Sequence, residues 1–290
     1  NAQANALTTL VGYANSNTGT APTESVYTTA GVTGLQGNAT LLAAVNTALA
    51  STAITGPLVD TTAEVQTIVD AYAAILAEAN GSTTDATPGT NPSVATYQAV
   101  GVTLGAIATN ANGLSLLNDL VGERSASAVD SVDELNTLAD AVNRLLVVAA
   151  GGTASPALTA SELNALLGTS TVTPENLASV LQTIAASTDD GSGINSLASL
   201  QNVVTSGITS YGAALTAIST YAETNTSTAP DLATYTTAGV TGLSLSNGTP
   251  NTVLLAAVNS ALASAAVTGT LVNTTAEVQA VVDAFALVLA

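Results

Sequence analysis

The sequence predicts an all-α protein built as tandem three-helix-bundle repeats in an elongated array, and three observations predict it. Apolar residues recur at helical spacing, related strings return every 65 to 78 residues or so, and helix-start signals recur within the copies. Repeated β-sandwiches are the competing fold, suggested by the Thr and Val content.

Residues 1–20 read as the closing helix of an incomplete preceding repeat. Residues 6–35 match 214–243 at a constant offset of 208, with Leu7, Leu10 and Tyr13 answering Leu215, Ile218 and Tyr221. Residues 21–89 are repeat 1. In "APTESVYTTAGV", Pro22 suits the first turn of a short helix and Gly31 the left-handed position after its last turn. "TLLAAVNTALAS" then places Leu41, Leu42, Val45 and Leu49 on one face of a second helix. The third and longest helix carries Val65, Ile68, Val69, Tyr72, Ile75 and Leu76 at amphipathic spacing.

Repeat 2, residues 90–153, is diverged. It keeps "YQAVGVT" (97–103) and "DSVDELNTLADAVNRLL" (130–146) at an offset of 70, with Asn91-Pro92 as a start signal. Repeat 3, residues 154–228, is also diverged. "LASVLQTIA" (177–185) and "SLQNVV" (199–204) match repeat 1 at an offset of 135, and Thr173-Pro174-Glu175 is its start signal. Repeat 4, residues 229–290, returns to "YTTAGVTGL" (235–243) and "LLAAVN" (254–259); the five extra residues fall in "SLSNGTPN" (244–251), a turn-rich loop. Its last helix reads as truncated, because Leu287-Val288-Leu289-Ala290 answers Ala74-Ile75-Leu76-Ala77.

Composition narrows the function. The apolar content is mainly Ala, Leu and Val, with seven Tyr, one Phe and no Trp or Met, which suits slim, closely packed helices rather than an aromatic-lined pocket. Twenty acids face two Arg, with no Lys or His, for a net charge of -18. Such a surface repels phosphate backbones and anionic headgroups, so nucleic acid is not an expected partner. Nor is membrane insertion, since no run approaches the roughly 20 apolar residues of a spanning helix. Without Cys, His or Lys, the usual nucleophile–base pairs and zinc sites are missing too.

The carboxylates read as structural. Thr61 with Glu64, Ser131 with Glu134 and Thr274 with Glu277 have the spacing of capping boxes, and Ser196 keeps the cap alone. The residue ahead of each cap varies between acid and amide (Asp60, Asp130, Asn195, Asn273), which argues against an essential charge. Asp70 lies six residues after Glu64, so the two diverge round a helix and cannot act as an acid–base pair. Asp189 and Asp190 in "TDDGSGIN" and the group Asp130, Asp133 and Glu134 are candidate calcium ligands. The first pair lacks the spacing and distal Glu of an EF-hand, and the second group already suits a helix start. No other cofactor is expected. Arg124 and Arg144 read as partners of neighbouring acids.

The strings "YTTAGVTGL", "LLAAVN", "TTAEVQ" and "IVDAY" resemble tandem repeat segments of very large secreted bacterial surface proteins, such as adhesin stalks and S-layer-like or extracellular matrix proteins. That resemblance implies an extracellular or cell-surface location and no enzymatic role. The expectation is a structural protein of a bacterial filament, surface layer or stalk, whose partner is itself, as a head-to-tail homopolymer or as adjacent repeats of a longer chain. Leu7, Leu10 and Tyr13 at one end and Val288 and Leu289 at the other are the expected assembly residues, each end exposing apolar helix. The alternative is an adhesin module that binds a glycan or protein through its diverged middle repeats.

Overall fold

The fold is described from a computed structural model, for residues 1–82 and 91–289. Among these residues there are thirteen α-helices and no β-strand. Two isolated bridges, Asn80 with Ser125 and Ser244 with Pro250, are the extent of β pairing there, so the β-sandwich alternative falls away.

The helices come in one leading helix and four sets of three. Helix α1 (Ala2–Ser16) is followed by α2 (Glu24–Thr29), α3 (Ala39–Leu49) and α4 (Thr62–Glu78). The second set is α5 (Val94–Ala99), α6 (Ala111–Gly122) and α7 (Val132–Ala149). The third is α8 (Ala160–Leu167), α9 (Leu177–Ala185) and α10 (Leu197–Thr224), and the fourth is α11 (Leu232–Thr237), α12 (Thr252–Leu262) and α13 (Thr275–Leu289). In each set the third helix is the longest. Short 3₁₀ turns precede the third helices, at Gly56–Leu58, Ala126–Ala128, Ser192–Ile194 and Gly269–Leu271.

By packing, the chain forms two compact bodies: Asn1–Val147 with Asp190–Leu197, and Val148–Asp189 with Ala198–Ala290. In the first, the fully buried side chains include Tyr27, Tyr72, Tyr97, Leu10 and Ile75. In the second, Tyr235 lies at the centre of a cluster with Ile218, Leu243, Val258, Leu262 and Val278. Each buried ring removes on the order of 150–250 Å² from water, so a chain poor in aromatics concentrates its core at these few positions.

Two local expectations are corrected. Pro22 does not enter the first turn, because α2 begins at Glu24 after the N-cap Thr23. It lies just outside the helix, where its carbonyl serves a buried amide described below. Thr173-Pro174-Glu175 does not open a first helix; it precedes α9, the second helix of its set. Gly31 follows α2 with φ of 86°, the left-handed conformation that expels other residues.

Candidate functional site

The candidate carboxylates are engaged in holding helix ends. The Thr61 hydroxyl accepts from the Glu64 N–H (3.2 Å), and the Glu64 carboxylate accepts from the Thr61 N–H (2.9 Å). Ser131 and Glu134 repeat the exchange at 3.3 and 3.0 Å, as do Thr274 and Glu277 at 3.3 and 3.0 Å. The Thr61 hydroxyl holds Glu64 below its usual range, whereas the hydrogen bond between the Asp60 and Glu64 carboxyl groups, and then the Glu64 charge, push Asp60 up. Ser196 stands ahead of α10, whose first N–H, at Leu197, donates to the Asp119 carboxylate (2.9 Å). Capping boxes also close α5 (Ser93, Thr96) and α8 (Thr159, Glu162).

Asp70 has a different task. The Gln66 side chain clamps Thr33, accepting from its N–H (2.9 Å) and donating to its carbonyl (3.3 Å), while its amide also donates to Asp70 (2.8 Å). Gln279, Thr241 and Asp283 repeat the clamp. Asn136 takes over its first half by accepting from the Thr103 N–H. The carboxylate thus orients an amide that ties the third helix to the segment after the first.

The calcium candidates do not converge. The Asp190 carboxylate accepts from the Ser192 N–H (2.9 Å), which holds it below its usual range, and its carbonyl accepts from Asn110 and Asn112 (both 3.1 Å). Asp189 and Asp133 are exposed, Glu134 is engaged at its cap, and burial with Glu134's charge pushes the Asp130 carboxyl up. Among the described residues, no group of three or more such ligands is arranged to hold a metal ion. Arg124 is half-buried, and burial lowers the pKa of its guanidinium.

A buried polar triad went unread in the sequence. The Tyr27 hydroxyl donates to Asn46 Oδ1 (2.6 Å), and Asn46 Nδ2 donates to the Pro22 carbonyl (3.1 Å). Tyr97, Asn118 and Pro92 repeat it at 2.8 and 3.1 Å, and Tyr235, Asn259 and Pro230 at 2.6 and 2.9 Å. In each case the Tyr is the fourth residue of the first helix and the Asn the eighth of the second. In the third set, Leu163 occupies the Tyr position and Leu181 answers Asn46. Both partners are lost together, which strands neither. The signal was an Asn inside the apolar face of "LLAAVN".

The geometry with consequences beyond one set is an apolar seam. In α1, Ala6, Leu10 and Ala14 are buried, and the helix packs on α2, α3 and the Gly56–Leu58 turn. In α10, Ala214, Ile218 and Ala222 stand at the same offset of 208 and belong to the core around α11 to α13. Helix α4 and its C-cap residue carry the same spacing in Ala71, Ile75 and Ala79, all buried, and the helix packs on α5 and α6. Small alanines let the backbones approach, and the central Leu or Ile contributes about 1.5–3 kcal/mol by burial.

Polar contacts flank the seam. Gln3 donates to the Ala30 carbonyl (3.3 Å) and to the Thr62 hydroxyl (3.2 Å); at the matching place, the Tyr211 and Thr275 hydroxyls meet at 2.9 Å. Asn15 accepts from the Gly56 N–H (2.8 Å), and Glu223 accepts from the Gly269 N–H (2.8 Å). A Cβ on Gly56 would sit 2.5 Å from the Asn15 amide nitrogen, so any other residue there would push the Asn15 side chain aside.

This seam corrects the expectation that both ends expose apolar helix. Leu10 is 0% exposed, with Leu7 and Tyr13 half-buried, because α1 already closes the first set within its own chain. The far end differs. Ala284 and Val288 of α13 answer Ala71 and Ile75 at an offset of 213; Val288 is 79% exposed where Ile75 is 0%, and Ala284, Leu287 and Leu289 are exposed beside it. Comparison with family models, with curated proteins and with solved structures returns no match.

Proposed function

We propose that the protein is a non-enzymatic structural element of a bacterial extracellular filament, surface layer or stalk, assembled from three-helix units. The observation that carries this reading is the repeated seam: α4 packs on α5 and α6, and α10 contributes to the core built on α11 to α13, so a third helix is spent on sealing the set that follows it. Two features support the reading. Capping, clamping and the Tyr–Asn–Pro triad absorb most of the candidate polar groups, and the repeated strings resemble those of secreted surface arrays. The partners in this reading are further units of the same kind, and the acidic surface sets the condition for their meeting. With a net charge of -18, copies repel one another until salt shortens the screening length to about 8 Å or less.

Negative-stain microscopy of the purified chain, over a concentration series at moderate salt, tests the proposal. End-to-end strings that lengthen with concentration are expected. Single particles at every concentration, together with saturable binding to a glycan or protein panel, would make the chain a recognition module instead.

A further inference from the structure

A cleft of about 520 Å³ opens in the first body between α1, α3 and the start of α7. Ala21, Ala43 and Val132 give it an apolar lining, and Tyr13, Thr47 and Asp133 bring polar groups to its wall. Two side chains at this place depart from the pattern of the repeats. Tyr72 of α4 stands where the other third helices carry Val142, Gly207 and Phe285, at offsets of 70, 135 and 213. Asp133, in the first turn of α7, stands where the other third helices carry Ala63, Ala198 and Ala276.

The Tyr72 ring is wholly buried, and its hydroxyl has no hydrogen-bond partner among the described residues. That hydroxyl is directed at Thr47 and the start of α7, two walls of the cleft. Burial pushes the phenol up, the neighbouring Thr47 hydroxyl works against this, and the charges of Asp130, Glu134 and Asp133 add to the rise. Thr47 does not satisfy the phenol, because its own proton goes to the Ala44 carbonyl (2.8 Å) and no hydrogen bond joins the two hydroxyls. Stranding a hydroxyl in a core is unfavourable, and Phe285 fills the matching place with a ring that lacks the oxygen. We propose that this cleft binds a primary alkylammonium group, the ammonium meeting the Tyr72 oxygen and the Asp133 carboxylate while the alkyl stem lies along the alanines and Val132.

The chemistry of the walls selects this class. Three carboxylates around the hydroxyl favour a positive charge and repel an anion, and the net charge of -18 draws cations towards the whole surface. A divalent metal needs several oxygen ligands converging on one point, and no such group exists among the described residues. A quaternary ammonium has no N–H for the Tyr72 oxygen, whereas a primary one has three. The cleft falls within the size range of small-molecule sites. A free alkylamine and a lysine side chain present the same group, and these 290 residues contain no Lys that could supply it from within.

Titration of the isotope-labelled full chain with n-pentylammonium chloride, followed by NMR and compared with sodium chloride at matched ionic strength, tests the site. Saturable shifts at the amides of α3 and the start of α7 are expected. Tyr72→Phe should remain helical and weaken binding about tenfold or more, through loss of a hydrogen bond to a charged group. Asp133→Ala copies Ala63 and should weaken binding about two- to fivefold, because the carboxylate is exposed. The neutral alcohol of the same length and tetramethylammonium should both bind more weakly than the primary amine. A short peptide with one internal lysine separates the sources: competition with n-pentylammonium assigns the cleft to lysine side chains, and its absence beside amine binding assigns it to free amines. Shifts no larger than those from sodium chloride overturn the proposal. Equal affinity in Tyr72→Phe, or equal binding of the alcohol, overturns it too, leaving an apolar groove whose hydroxyl is met by water alone. If Tyr72→Phe loses helicity, Asp133→Ala decides, and an unchanged affinity there overturns the ammonium site.

Discussion

Asn46 lies at the point where a single substitution separates packing from hydrogen bonding. It is nearly buried between the wholly buried Tyr27 hydroxyl, which donates to it at 2.6 Å, and the Pro22 carbonyl, to which it donates at 3.1 Å. Asn46→Leu keeps the branched heavy-atom shape and strands both neighbours. At about 1–3 kcal/mol for each unsatisfied group, the expected cost is about 2–5 kcal/mol. Tyr27→Phe strands only the Asn46 oxygen, at about 1–2 kcal/mol. The double variant makes both positions apolar, as they are in the third set at Leu163 and Leu181, and leaves only the Pro22 carbonyl unpaired. It should cost less than the sum of the single changes, with a coupling of about 1–3 kcal/mol. Hydrogen exchange read over α2 and α3 is the suitable assay, because a chain of repeated sets need not unfold in one step. A double variant that costs as much as both singles added would refute the reasoning, since the hydroxyl and the amide would then be independent.

Thr61→Ala should cost about 1 kcal/mol, read as faster exchange in the first turn of α4, without changing self-association; loss of association with intact helicity would mark the capping box as a contact surface. Burial pushes the phenols of Tyr27, Tyr97 and Tyr235 above their ordinary value, so the folded state favours their neutral form. The stability this confers is complete below about pH 10 and is lost as pH rises through the folded values; an alkaline titration should show these phenolates appearing only with the loss of helicity. The Thr234 N–H and hydroxyl hold the Asp231 carboxylate below its usual range, so its contribution is present above about pH 4 and is lost as pH falls through the folded value. Asp231→Asn should keep the cap of α11 and remove that acid-side dependence in local exchange. Modest salt should raise the melting temperature by screening the twenty acids, and millimolar calcium should add nothing beyond matched ionic strength. A specific calcium increment would show that acids scattered in the structure gather round the ion.

What could be read from residue order is what depends on near neighbours. Helical period, the caps at Thr61, Ser131 and Thr274, and the return of the three-helix pattern are set by residues three or four apart, and the structure places α4, α7 and α13 directly behind those caps. The identity of a partner across the fold is a different quantity. Nothing near Pro22 in sequence announces that its carbonyl meets an amide 24 residues on, nor that Gln66 reaches back to Thr33 with Asp70 holding it. The destination of Leu10 shows the same limit: its apolar stripe is visible in the sequence, but that the stripe is covered by α2 and α3 is a matter of tertiary packing. Local spacing sets the faces a helix offers, because backbone geometry repeats every few residues. The choice of what covers each face belongs to packing between distant segments, as the burial of Leu10 against α2 and of Ile75 beside α5 shows.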